Sequence, residues 1–342
     1  MKKLFVFIGV ILALFAISGC KTAKKEKLYI YNWTYYIPDE VIKDFQEKYG
    51  VEVVYDVFAS NEEMYAKLKA GGTGYDITFP SVDYVSIMIK EGMLAKLDKS
   101  KLPNIANIDP EVFSKANYDP NYEYSVPYMM GAAGITVNKK YVKDYKKDVS
   151  VFLKPELKGR ITLLDDMREV LGLALKYQGY SVNTVNEEEL KKAKELVIKW
   201  KDNIQKFDAE AFGKGFAAGE FWCVHGYQEN VFSELDDSQK QDADFFIPEQ
   251  GAAMYIDSMV ILKDAKNKEL AHKFINFIHE PEVYAKFVDF FAFPSINVPA
   301  RSIRKVTPRY DLPDLKNCEI KLDLGENIEL YNKVWQEIRV GN

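Results

Sequence analysis

The feature that most constrains the fold is an alternation, repeated three times from Leu28 onward, of a short apolar run with a segment spaced for a helix. "LYIYNW", Leu28 to Trp33, reads as a buried strand. Val41, Ile42, Phe45 and Tyr49 then share one helical face, with Pro38 at the first helical position and Gly50 as the stop. "VEVVYDVF", Val51 to Phe58, precedes a helix from Asn61 to Ala70 closed by Gly71 and Gly72. "YDITFPS", Tyr75 to Ser81, precedes another that runs to Gly92. Strands that alternate with helices require a parallel sheet with helices on its faces.

Ligands of such open sheets bind beyond the carboxyl ends of the strands. Two loops rich in rings and hydroxyls lie at such ends: "YIYNWTYYIP", Tyr29 to Pro38, and "PSVDY", Pro80 to Tyr84. One or two apolar residues would close the first strand, so the surplus rings are expected to face a ligand, with Tyr35 turned elsewhere. Small residues in "PYMMGAAGITVN", with Gly131 and Gly134, suggest a crossing into a second lobe. There "GRITLLDD" (Gly159 to Asp166) reads as strand and turn, followed by a helix carrying Val170, Leu171, Ala174 and Leu175. A long polar helix from Glu187 to Lys206, a strand at "EFWCVHGY" and another at "AAMYIDSMVIL" follow. Leu270, Phe274, Phe277 and Ile278 mark a later helix.

Residues 1–19 read as a targeting segment, because Lys2 and Lys3 lead an apolar run, Leu4 to Ile17, too short to span a membrane comfortably. The run ends "AISGC", which resembles a bacterial lipobox in which Cys20 is lipidated and becomes the new N-terminus. The alternative is an ordinary signal peptide with an incidental cysteine. The mature chain is thus expected to be exported and anchored by lipid to the cell-envelope membrane, on its periplasmic or extracellular face, with residues 20–27 as a tether. The 342 residues carry 46 Lys and Arg against 51 Asp and Glu. Loss of Lys2 and Lys3 leaves 44 against 51, a net charge of −7. Such an acidic chain lacks the basic surface that nucleic acid requires and suits a cationic ligand.

No cofactor or metal site is expected. Gly213, Gly215 and Gly219 miss the dinucleotide spacing, and neither a P-loop nor a G-x-S-x-G elbow occurs. Besides Cys20 there are only Cys223 and Cys318, which could form one disulfide or sit in the core as small apolar residues. The three histidines are dispersed. His272 and His279 are expected to be exposed or capping, whereas His225 lies in a strand and could line a site.

Two acidic motifs stand out. In "LLDDMREV", Asp166 and Glu169 have the spacing of a capping box, which leaves them free to face a cation as well. In "MYIDSM", Asp257 interrupts an apolar strand. A lone buried carboxylate there costs several kcal/mol, so it requires a partner, either a Lys or Arg of the same fold or a bound ammonium.

Taken in order, "YNWTYYIP", "ASNEEMYAKLKAGGTGYDITFPS", "SVPYMMGAAGITVN", "LLDDMREVLGLALKYQGYSVNT", "IDSMVILKDAKNKELAHKFINFI" and "FPSINVPAR" resemble the spermidine/putrescine-binding proteins of polyamine ABC importers, from Leu28 to the C-terminus. The resemblance implies a non-enzymatic α/β protein of the two-lobed periplasmic-binding-protein type II. Each lobe would be a mixed, mainly parallel sheet flanked by helices, with two crossings between lobes. Residues 28–131 and 258–300 would form one lobe, and 132–257 and 301–342 the other. The protein would act as a monomer, closing on a linear polyamine and presenting it to the transporter's membrane permease subunits.

Carried over by position, the resemblance implies ring walls at Trp33, Tyr36 and Tyr255, polar contacts at Thr34 and Ser81, and ammonium-binding carboxylates at Asp166, Glu169 and Asp257. The chain departs from the family pattern in four places. Asp83, with Tyr84 beside it, stands where a tyrosine is expected, and His225, with Tyr227 close by, where a tryptophan is expected. Phe293 replaces a late tyrosine and Lys321 a glutamine. The added acid and added base could pair across the cleft and shorten it, or Asp83 could take a further ammonium. A hydrolase using Asp166 and Glu169, or a binding protein for a sugar, are the competing readings.

Overall fold

The computed structural model describes residues 25–340 apart from 35, 72, 73 and 117. The leader, Cys20, most of the tether, Tyr35 and Gly72 lie outside the described residues. Two sheets organise the rest. In the first, β1 (Lys27–Trp33) lies between β2 (Glu52–Phe58) and β3 (Ile77–Thr78), both parallel to it. Leu28, Ile30 and Tyr31 are fully buried, as expected of a strand covered on both faces. The next strand in the order is β10 (Ala253–Ile261), antiparallel to β3 and to β4 (Ser125–Ala132), while β11 (Glu319–Ile320) runs parallel to its first residues. The second sheet has the order β7–β6–β8–β5–β9, formed by β5 (Gly134–Asn138), β6 (Ile161–Leu163), β7 (Ile204–Phe207), β8 (Cys223–Gly226) and β9 (Ala243–Phe246). Its β6 pairs are parallel and its β5 pairs antiparallel. Both sheets are therefore mixed, because β4, β5, β9 and β10, the strands that flank the crossings, all pair antiparallel.

The connecting helices follow local signals. Helix α1 (Asp39–Tyr49) starts one residue later than expected. Pro38 is its extended N-cap, and Asp39 and Glu40 occupy the first turn, where the helix dipole favours acids. Gly50 closes it at φ 69°, a left-handed conformation open to glycine. Ser60 caps α2 (Asn61–Lys69), and α3 (Val82–Lys90) follows β3. The ladder at β3 is shorter than "YDITFPS" suggests, because the Asp76 carboxylate takes the backbone N–H groups of Tyr29 and Asn267 at 3.0 and 2.9 Å. In the second layer Asp166 caps α4 (Met167–Tyr177). The polar helix α5 (Glu187–Lys201) ends before Lys206, which instead pairs in β7 with Thr162. Neither glycine nor proline marks that stop; sheet pairing and an Asn203 side-chain bond to the Phe152 carbonyl impose it.

Ala133 alone separates β4 from β5, and so makes the first crossing between sheets. A Cβ added at Gly131 would strike the hydroxyls of Tyr255 and Tyr310, and one at Gly134 the ring of Phe245, which explains the small residues there. The second crossing occupies residues 247–252, so the chain is back in the first sheet by Ala253, ahead of the expected division between Asp257 and Ser258. That division coincides instead with a register shift inside β10. Cys223 and Cys318 are buried and unpaired. His272 and His279 are buried rather than exposed, though His279 does occupy the C-cap position expected of it. His272 accepts the Asp98 N–H, and His279 stacks on Tyr284 as the residue after α7 (Lys268–Ile278).

Candidate functional site between the two sheets

The carboxyl ends of β1 and β3 and the irregular point of β10 converge on one carboxylate. A bulge re-aims the side chain it carries, and Asp257 sits at the shift in β10, 4% exposed. Its two oxygens accept hydrogen bonds of 2.6 Å from the hydroxyls of Tyr36 and Ser81. Ser81 is in turn held by both polar atoms of the Asn61 amide at 3.1 Å. Neither of the expected internal partners, Lys or Arg, forms an ion pair with Asp257 among the described residues. Burial pushes its carboxyl up to about 6, against the pull of the two hydroxyls and Lys321.

Rings enclose this carboxylate. Trp33 donates its indole N–H to the Phe79 carbonyl at 2.8 Å, which fixes its plane, and lies 6.4 Å from Tyr36 at 65°. Tyr36 packs on Tyr128 at 5.6 Å. Tyr255, two residues before Asp257, meets Tyr227 edge to face at 5.8 Å and so connects the first sheet to the second.

Beyond Tyr227 lies a second acidic group. The Tyr227 hydroxyl donates to Glu169 Oε1 at 3.3 Å, and Lys321 Nζ binds the same oxygen. Glu169 is 1% exposed. Asp166 caps its own helix by accepting the Glu169 N–H at 3.0 Å, but the reciprocal half of a capping box is not made, because the Glu169 carboxylate turns to Lys321. Burial raises the Glu169 carboxyl while Lys321 opposes it. Burial acts to lower the Lys321 ammonium, yet Glu169, Asp166 and Asp83 outweigh it and drive the group upward, so it stays charged. Asp83, in the first turn of α3, feels Lys321 through space, but the lysine's ion pair is with Glu169. His225 is fully buried beside them. Burial lowers its ring to about 4, and neither ring nitrogen has a partner among the described residues.

Three expected residues are not brought to either carboxylate. Thr34 is exposed and directs its hydroxyl at the Phe58 carbonyl, 3.4 Å away. Tyr84, one residue around α3 from Asp83, packs on Tyr65 at 5.7 Å, in the field of Glu62. Phe293 is buried against Phe291 and Tyr284. One acid was missed. Glu229, in the first turn of helix α6 (Gln228–Phe232), has its carboxyl pushed up to about 7, chiefly by burial, with Arg309 opposing and Asp257 adding. Its charge also reaches Tyr36, Tyr227 and Tyr255. Its place directly after a ring-rich strand end, "HGYQEN", was the available signal. Among the described residues no three His, Cys, Asp or Glu side chains group as a metal would require.

Comparison with known proteins agrees with this architecture. The bacterial extracellular solute-binding protein family matches residues 40–302. The spermidine/putrescine-binding periplasmic protein of Escherichia coli strain K12 is 36% identical over 334 residues, covering 95% of this chain and 94% of the relative. Among solved structures, the TpPotD lipoprotein of Treponema pallidum superposes with a TM-score of 0.89 at 48% identity, covering 92% of this chain and 99% of its own. The spermidine/putrescine ABC transporter substrate-binding protein PotD of Streptococcus pneumoniae superposes at 0.83 with 30% identity, covering 92% and 98%. With its two mixed sheets and ring-lined acidic cleft, this chain belongs to the bacterial extracellular solute-binding proteins and, among them, to the spermidine/putrescine-binding proteins.

Proposed function

We propose that this chain captures a linear polyamine, putrescine or spermidine, between its two sheets and delivers it to the permease subunits of an ABC importer. The observation that carries the reading is Asp257, a carboxylate 4% exposed whose protein partners are two neutral hydroxyls, set among Trp33, Tyr36 and Tyr255. A ligand ammonium supplies the missing countercharge, and the ring faces attract the cation while packing on its methylenes. Charge-assisted bonds contribute roughly 1.5–3 kcal/mol each, and micromolar binding needs about 8 kcal/mol in all, so two anchored ends plus ring packing suffice. A sugar brings no charge to Asp257, and an anionic solute is repelled by the surrounding acids.

Hydrolysis is disfavoured. Asp166 and Glu169 share one helical turn, where a glycosidase sets its acids on opposite sides of the bond, and Glu169 is bound to Lys321. Export, lipid attachment at Cys20 and action as a monomer complete the proposal. Export and lipid attachment rest on the lipobox-like "AISGC", and action as a monomer on the family resemblance. Calorimetry with putrescine, cadaverine, spermidine and spermine tests the reading, and Asp257→Asn should weaken the best ligand at least tenfold in a folded protein. Absence of heat with every polyamine, or unchanged affinity in the variant, would overturn it.

A further inference from the structure

We propose that Lys321 is a built-in ammonium that fills the Glu169 end of the cleft, so that this protein selects a short diamine over a longer triamine. The inference rests on the polyamine reading above and adds the chain length. A lysine side chain is a flexible four-carbon stem ending in an ammonium, chemically the same unit as the aminobutyl arm of a polyamine. Lys321 presents that unit from a fixed place. Its backbone follows β11, and its N–H bonds to the Met254 carbonyl at 3.3 Å, so the stem leaves the sheet beside Tyr255.

The ammonium is buried with its acids. Its side chain is 16% exposed and that of Glu169 1%, and the two form an ion pair. The Tyr227 hydroxyl reaches the same carboxylate oxygen, so Glu169 Oε1 is already occupied by protein donors. A ligand ammonium entering there would meet a like charge. Asp166 and Asp83 act on the same lysine from the two sides of the cleft. The opposite end differs, because Asp257 has no ion-pair partner among the described residues and Glu229 lies near it. Asp257 and Glu229 thus offer a short diamine two acids that Lys321 does not pair with. At the other end Glu169, whose Oε2 has no hydrogen-bond partner among the described residues, shares the one lysine with Asp166 and Asp83. A third ammonium would have to lie against Lys321.

Titration calorimetry of the wild-type chain and of Lys321→Gln with putrescine and spermidine tests the assignment. The wild type should bind putrescine at least tenfold more tightly than spermidine, and Lys321→Gln should shift the ratio at least tenfold toward spermidine. If loss of the lysine leaves Glu169 uncompensated and the variant fails to fold, Glu169→Gln with Lys321→Gln removes both charges together, and the same shift is expected. Binding of both polyamines with a ratio the substitutions do not move, or a wild-type preference for spermidine, would overturn the inference and leave the polyamine function standing. No binding of either ligand by any form would remove that function and this inference with it.

Discussion

The two ends of the cleft hold the same kind of group under opposite conditions. Asp257 and Glu169 are both almost wholly buried carboxylates beside a tyrosine hydroxyl. The first accepts hydrogen bonds from two neutral hydroxyls and feels Lys321 only through space, whereas one oxygen of the second is ion-paired to Lys321. The contrast teaches that burial of an acid does not by itself mark a binding position; what matters is whether the fold has already supplied the countercharge. A compensated acid serves the folded state, and an uncompensated one costs stability until a ligand arrives.

Amide substitution at each end should therefore change stability in opposite directions. Glu169→Gln leaves the Lys321 ammonium without its partner, and breaking a buried pair costs roughly 3–5 kcal/mol. Asp257→Asn should instead stabilise the ligand-free protein at neutral pH by about 2 kcal/mol. The Asp257 carboxyl is raised in the folded state to about 6, so its stabilising proton is present in acid and lost as pH rises through that value. Thermal unfolding of both variants at acid and neutral pH checks the pair, and a parallel loss of stability would erase the distinction between the ends.

Ligand binding should show the same asymmetry in its pH dependence. An ammonium pairs with the ionised form of Asp257, so affinity should fall roughly tenfold between about pH 7 and about pH 5 as the carboxyl takes up its proton. In Asp257→Asn this part of the slope should vanish, which calorimetry across that range would reveal.

The smallest effects separate the ring wall from its neighbour in sequence. Trp33→Ala removes a face held in place by the Phe79 carbonyl and should weaken polyamine binding by roughly 1 kcal/mol. Thr34→Ala removes a hydroxyl turned toward the Phe58 carbonyl and should change affinity by less than about 0.5 kcal/mol. Equal losses in the two titrations would mean that Thr34 contacts the ligand after all.

What could be read beforehand follows from how local each cause is. The βα alternation, the Gly50 stop and the Asp166 cap are written in short windows, and each recurs in the structure. Asp257 was visible because a carboxylate inside an apolar strand is anomalous whatever surrounds it. The shortening of β3 by Asp76 and the early end of α5 were not visible, since both depend on partners far away in the chain. Thr34 and Tyr84 lie apart from both carboxylates, since position in the sequence does not tell which way a side chain leaves its turn. Glu229 looked like an ordinary first-turn acid until Asp257, Tyr227 and Tyr255 surrounded it. Lys321 was recognisable as a departure, but its choice of Glu169 over Asp83 depends on where β11 places its stem.

The one-residue link at Ala133 has a mechanical consequence. A joint that short has no slack, so one sheet cannot slide past the other there; any relative movement must be a swivel about that point, with residues 247–252 and the link from β11 to the C-terminal helix, residues 321–327, yielding. Rings crowd both neighbouring glycines, so even a methyl group at 131 or 134 would act as a wedge in the pivot.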